Sequence, residues 1–128
     1  MDSILSQLIL DVFDISRSLT FYHEVLGLPV VDRQSLDGHE LATLAAGPVE
    51  VLLVQQPEAE ARTDYDRSGG LVMSLRVPNL AQLCDAVDRA QIPVICPAED
   101  APIGNRSVLI NDPDGYALLV FEKTETVH

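Results

Sequence analysis

Basic residues are the first shortage in this sequence. Eight Lys and Arg stand against 20 Asp and Glu, a formal net charge of −12 over 128 residues. A surface so short of cations cannot neutralise many phosphates, which argues against a nucleic-acid partner. Cysteine is nearly absent. Cys84 and Cys96 are the only two, too few for a disulfide framework, and reduced thiols in a cytoplasmic protein are expected. Tryptophan is missing, with three Phe and three Tyr, so few rings are available to stack on a flat ligand. No apolar run approaches the roughly 18 residues that span a bilayer. The opening "MDSILSQLIL" is acidic and has no basic n-region, so neither a membrane anchor nor a secretory signal is expected.

What is present is a chain that is 47% hydrophobic, enough for one domain with a real core. The acidity serves solubility. The alternative is that it draws a cationic ligand into an acidic cleft.

The chain repeats itself. "LILDVFDISRSLTFYHEVLGLPVV" from Leu8 and "MSLRVPNLAQLCDAVDRAQIPVI" from Met73 share one plan. Each has an alternating strand, a loop residue (Asp14 or Asn79), an amphipathic helix, and a proline-containing turn into a further strand. "GPVEVLLV" and "DGYALLVF" continue the correspondence. The offset of about 65 residues is half the chain, which marks a duplication and not a short-period solenoid.

Residues 4–12 alternate and are rich in Leu, Ile and Val, so the pattern predicts a strand. Asp14, with Ser16, caps the helix that follows, and Gly27 ends it. Strands are expected at 28–35, 39–46 and 49–55, with Asp37-Gly38 as a hairpin turn. In the second half a strand at 70–77 precedes a helix at 80–91. Strands near 93–97, 105–111 and 116–122 follow, the last entered through the turn "DPDG". The fold class is therefore α+β. Two βαβββ modules (about 1–56 and 70–123, joined by an acidic linker at 57–69) make a single domain whose curved sheets surround a cleft.

Alternation assigns the faces. Leu8, Leu10 and Val12 should face the first helix. Gln7, Ile9 and Asp11 should face the cleft. Val72, Ser74 and Arg76, and Ala117, Leu119 and Phe121, should face it in the second module.

"VFDISRSLTFYHEVLGLPVV", "GNRSVLINDPDGYALLVFE" and the duplicated plan together resemble the vicinal oxygen chelate superfamily. That superfamily includes glyoxalase I, extradiol dioxygenases and bleomycin-resistance proteins. The resemblance covers nearly the whole chain. It implies two βαβββ modules and either metal-dependent catalysis or metal-free binding. The family's metal enzymes place His, Gln or Glu on equivalent strands facing the cleft, a donor set for divalent ions. By that pattern the ligand positions fall on Gln7, on Val72, on Leu119 four residues after Gly115, and near Val51 or Leu52. Valine and leucine cannot ligate. Glu122, an odd number of residues beyond Leu119, should point the other way. Glu50 is close, but a one-residue slip would put it on the wrong face.

The resemblance therefore implies a metal-free small-molecule-binding protein, with no cofactor. It would sequester a small organic or drug-like ligand. The expected cleft residues are Gln7, Ile9, Asp11, Ser74, Arg76, Arg106, Leu119 and Phe121, with no catalytic residue assigned. Against ligand contact, Gln7 could be a polar residue on a fraying strand, Asp11 and Arg76 a structural pair, and Arg106 a turn-stabilising residue. The histidines at 23, 39 and 128 sit at no ligand spacing. Cys84 and Cys96 read as small buried residues, and Tyr65 as a lid aromatic in the linker. The alternative is a divalent-metal-dependent lyase, isomerase or dioxygenase that recruits Gln7 with Glu50 or Glu122. A third reading is a dimer module with a vestigial cleft. Small members of the family usually pair, so a homodimer is expected.

Overall fold

Each helix starts where a short polar side chain turns back on the backbone. Asp14 is extended (φ −138°) and its Oδ1 accepts from the amides of Ser16 (3.0 Å) and Arg17 (3.3 Å). Asn79 is likewise extended (φ −145°), and its Oδ1 accepts from Gln82 at 3.0 Å. Both satisfy amide groups that a helix start leaves without intrahelical partners. Ser16 donates to this cap and does not share it. The computed structural model describes residues 1–57, 70–100 and 105–123. The expected linker beyond Pro57, with Tyr65, and His128 lie outside those residues.

The chain divides into two compact units, residues 1–65 and 66–128. In the first, β1 (Gln7–Val12) leads into α1 (Ile15–Leu19), and three strands follow: β2 (Val30–Leu36), β3 (His39–Ala46) and β4 (Val49–Gln55). In the second, β5 (Val72–Arg76) and α2 (Leu80–Arg89) precede β6 (Val94–Asp100), β7 (Asn105–Asn111) and β8 (Ala117–Lys123). Each unit has one four-stranded sheet, ordered β1-β4-β3-β2 and β5-β8-β7-β6. The first and last strands of each unit run parallel, and the other neighbours antiparallel. The duplication read in the sequence is thus a duplication of topology. No helix among the described residues is long and apolar enough to cross a membrane.

The first strand begins at Gln7 and not at residue 4. Its partner fixes this: Gln7 pairs with Glu50, and the amide of Glu50 donates back to the Ser6 carbonyl at 3.0 Å. Ile4 and Leu5 lie beyond that pairing and stay exposed.

Cores form on the helix side of each sheet. In the first unit Leu10, Val12, Ala42, Leu44, Val51 and Leu53 are buried with Ile15, Phe21 and Tyr22 of the helical segment. The Phe21 and Tyr22 rings meet edge to face at 4.8 Å, a favoured aromatic geometry. The second core contains Leu80, Leu83 and Val87 of α2 with Val108, Ile110, Leu118 and Val120. Alternation thus holds on β1, where Leu10 is 1% exposed and Ile9 61%.

The first helix departs from the expected single run to Gly27. After Leu19 it widens into a π-helical turn, Thr20–Val25, which presents the adjacent residues Phe21 and Tyr22 to the core. Such a bulge places one extra residue in a turn. His23 closes the segment: its Nδ1 lies 2.8 Å from the Leu28 carbonyl, a structural and exposed position. Gly27 (φ +79°) then turns the chain.

The repeat equivalent of Gly27 is Gln91, which takes the same left-handed conformation (φ +56°). Here the amides of Gln91 and Ile92 bond to the carbonyls of Asp88 (3.1 Å) and Val87 (3.1 Å), which closes the helix end. A side chain in that conformation costs about 1 kcal/mol that glycine avoids. Gln91→Gly should therefore raise stability by about 1 kcal/mol, read as a higher urea midpoint at unchanged slope.

A second symmetric device ties each last strand to its helix. Gln55 Oε1 accepts from the Ile15 amide at 2.7 Å. Glu122 Oε1 accepts from the Leu80 amide at 3.1 Å. Each acceptor sits at the positive end of its helix, where a carboxylate also gains from the macrodipole. Glu122→Ala should cost about 1.5–3 kcal/mol, the range for a hydrogen bond to a charged group. Glu122→Gln, which keeps an acceptor, should cost less. Urea unfolding of the three proteins, with amide exchange at Leu80, checks both.

Candidate functional site

The face of each sheet away from its helix holds most of the side chains expected to meet a ligand. On the first sheet, strand register builds three rows: Gln7, Glu50 and Ala45; then Ile9, Leu52, Thr43 and Asp32; then Asp11, Val54, Leu41 and Gln34. The middle is apolar and the margins carry carboxylates. Glu50 is exposed, and Asp32 Oδ2 accepts from Gln34 Nε2 at 3.0 Å. On the second sheet the rows are Val72, Ala117 and Asn111; Ser74, Leu119 and Leu109; and Arg76, Phe121 and Ser107. Leu119 and Phe121 are half-buried there, beside exposed Ser74 and Arg76. Asp11 and Arg76 each lie on the helix-free face of their own unit.

Arg106 does not join them. It pairs with Glu122, and Glu122 reaches the start of α2, so Arg106 shares the helix side of the sheet. Arg106, Val108 and Ile110 have the same parity, and the last two are core residues. That alternation carries the signal for the correct face, which a matching family position overrode.

The register also settles the two stray acids. Glu50 stands directly opposite Gln7 on the same face, with no slip. Glu122 stands on the opposite face from Leu119, its carboxylate engaged with the helix, so it is removed from any metal-ligand set on the Leu119 face. The pairing Gln7↔Glu50 in one unit recurs as Val72↔Ala117 in the other. Leu52 is therefore the counterpart of Leu119, each one step further along the same face. By the family resemblance, with Leu52 chosen over Val51 by this register, the donor positions of the metal enzymes correspond to Gln7, Leu52, Val72 and Leu119.

One oxygen donor and three hydrocarbon side chains do not fit a divalent ion of that type. Among the described residues, no three His, Cys, Asp or Glu gather closely enough to hold a metal. Second-sphere support cannot replace the missing donor atoms.

The loop that enters β8 is rigidly built. Asp112 is 4% exposed, and its Oδ1 accepts from the amides of Asp114 (2.9 Å) and Tyr116 (2.8 Å). Gly115 (φ +95°) follows, its amide bonded to the Asp112 carbonyl at 3.1 Å. The turn thus fixes where Ala117, Leu119 and Phe121 begin. Sequence reasoning found the turn and missed the carboxylate at its centre.

The same architecture recurs in known structures. A glyoxylase/bleomycin resistance protein/dioxygenase domain from Frankia sp. EAN1pec superposes with a TM-score of 0.78 at 23% identity, covering 97% of this chain and 100% of that one. The trypanothione-dependent glyoxalase I of Leishmania major gives 0.75 at 22% identity, covering 95% and 88%. TnmS3, an antibiotic binding protein from Streptomyces sp. CB03234, gives 0.71 at 18% identity, covering 96% and 98%. At these identities the likeness is one of fold. No curated protein matches the chain. A family model matches residues 4–120. With its duplicated βαβββ plan, the chain belongs to the Glyoxalase/Bleomycin resistance protein/Dioxygenase superfamily.

Proposed function

We propose that this chain binds a small organic molecule without a metal ion and acts by holding it. One observation carries the reading: three of the four positions that would ligate a metal are Leu52, Val72 and Leu119, all on helix-free faces. A site that loses its donors to hydrocarbon keeps the means to bind an apolar body and loses the means to polarise a substrate oxygen. Ile9, Leu52 and Val54 supply the apolar floor of the first face. Gln7, Glu50 and Asp11 supply polar anchors at its margins. Ser74 and Arg76 do the same beside Leu119 and Phe121.

TnmS3 supports this reading, because it is an antibiotic binding protein with the same fold. Sequestration of an antibiotic-like molecule is the finer form of the proposal. A homodimer remains part of the reading, as the usual state of small members of the family.

Two measurements test it. After separate dialysis against Ni²⁺, Zn²⁺, Mn²⁺ and Fe²⁺, elemental mass spectrometry should find far less than one ion per chain. Near-stoichiometric retention would overturn the metal-free reading. A thermal-shift screen of small aromatic and cationic compounds should then yield a binder. At a hundredfold excess over its Kd such a compound adds about 2.7 kcal/mol, or roughly 5 °C or more for a domain of this size. Leu52→Lys, which puts a charge in the middle of the first face, should abolish that shift while leaving the unliganded protein folded.

A further inference from the structure

The helix side of the second unit has a cavity that this reading does not use. It is open to solvent on one side, with a volume of about 390 Å³, within the ~300–1,000 Å³ of small-molecule sites. The cavity lies along the last turns of α2, over β6 and β7. Val87, Ile92, Val94 and Val108 make apolar walls. Val87 and Val108 are buried at 3% and 4% exposure, while Val94 is 46% exposed. Val108 faces the helix, so the cavity is on the other side of the sheet from Leu119 and Ser74.

The polar part of the lining has one sign. Its polar lining residues are Asp85, Asp88, Cys84 and Gln91, two of them acidic and none basic. Arg89, the one basic residue of α2, is not part of the wall, and its Nε donates to the Asp85 carbonyl at 3.3 Å. The cavity also meets the C-terminal end of α2, the negative end of the helix dipole. Hydrocarbon walls, two carboxylates and a helix C-terminus select a cation with an apolar body over a neutral molecule or an anion.

We propose that this cavity is a second binding site, for a small organic ammonium ion. The hydrocarbon rests on Val87, Ile92, Val94 and Val108. The ammonium group sits at Asp85 and Asp88. Binding here is independent of the helix-free faces.

Cys84 makes the site readable, because this half-buried residue is part of the lining. Alkylation by iodoacetamide would be followed by peptide mass spectrometry, which separates Cys84 from Cys96. The probes are n-hexylammonium and 1-hexanol at equal concentration. Hexylammonium should slow alkylation of Cys84 at least threefold, and hexanol markedly less. Asp85→Asn/Asp88→Asn should remove the ammonium advantage. Both aspartates are exposed, so the variant is expected to fold. Should it not, titration of the native protein decides, because hexylammonium should shift the amide resonances of Gln91 and Ile92. Equal slowing by both probes, or no slowing with unmoved Gln91 and Ile92 amides, would overturn the proposal.

Discussion

The bond from the last strand of each module to the first turn of its helix sets the rest. Gln55 and Glu122 come from strands that run parallel to the strand preceding the helix. Their side chains therefore arrive where the helix begins, and each oxygen takes a helical amide that has no intrahelical partner. Each clamp defines the helix side of its strand. Residues three positions earlier, Leu52 and Leu119, must then face away from the helix. The chemistry of the helix-free faces thus follows from a contact on the other side of the sheets.

Much of this plan was legible in the sequence. The duplication, the caps at Asp14 and Asn79, the Asp37-Gly38 hairpin (φ +52° and +83°) and the face of Glu122 all follow from periodicity and local chemistry. They were legible because each depends on residues close in sequence or on strict alternation. The clamps were harder to see, because they join residues about 40 positions apart. Their only trace is a side chain with an acceptor oxygen at the same place in both repeats. The π-helical turn and the left-handed Gln91 left no trace at all. Packing of Phe21 and Tyr22 decides the first. Closure of the α2 carbonyls decides the second, with no glycine to announce it.

The two readings of site residues that needed correction had the same origin. Arg106 matches a family position that faces a ligand, but its own alternation with Val108 and Ile110 puts it on the helix side. A one-residue slip would put Glu50 on the wrong face, but the bond from its amide to the Ser6 carbonyl holds the register at that end. In both cases strand register outranked the position of a residue within a motif. Residue types alone show which donors are missing, and pairing shows which of those remaining share a face.

The Asp112 turn has a consequence for how such a chain can change over evolutionary time. β8 is held at its entry by that carboxylate and near its exit by Glu122. Leu119 lies between the two anchors and contributes to neither. A lineage can therefore exchange a glutamate for a leucine at that point, or reverse the exchange, without losing strand register. On the reading proposed above, catalyst and carrier differ at positions that neither anchor uses.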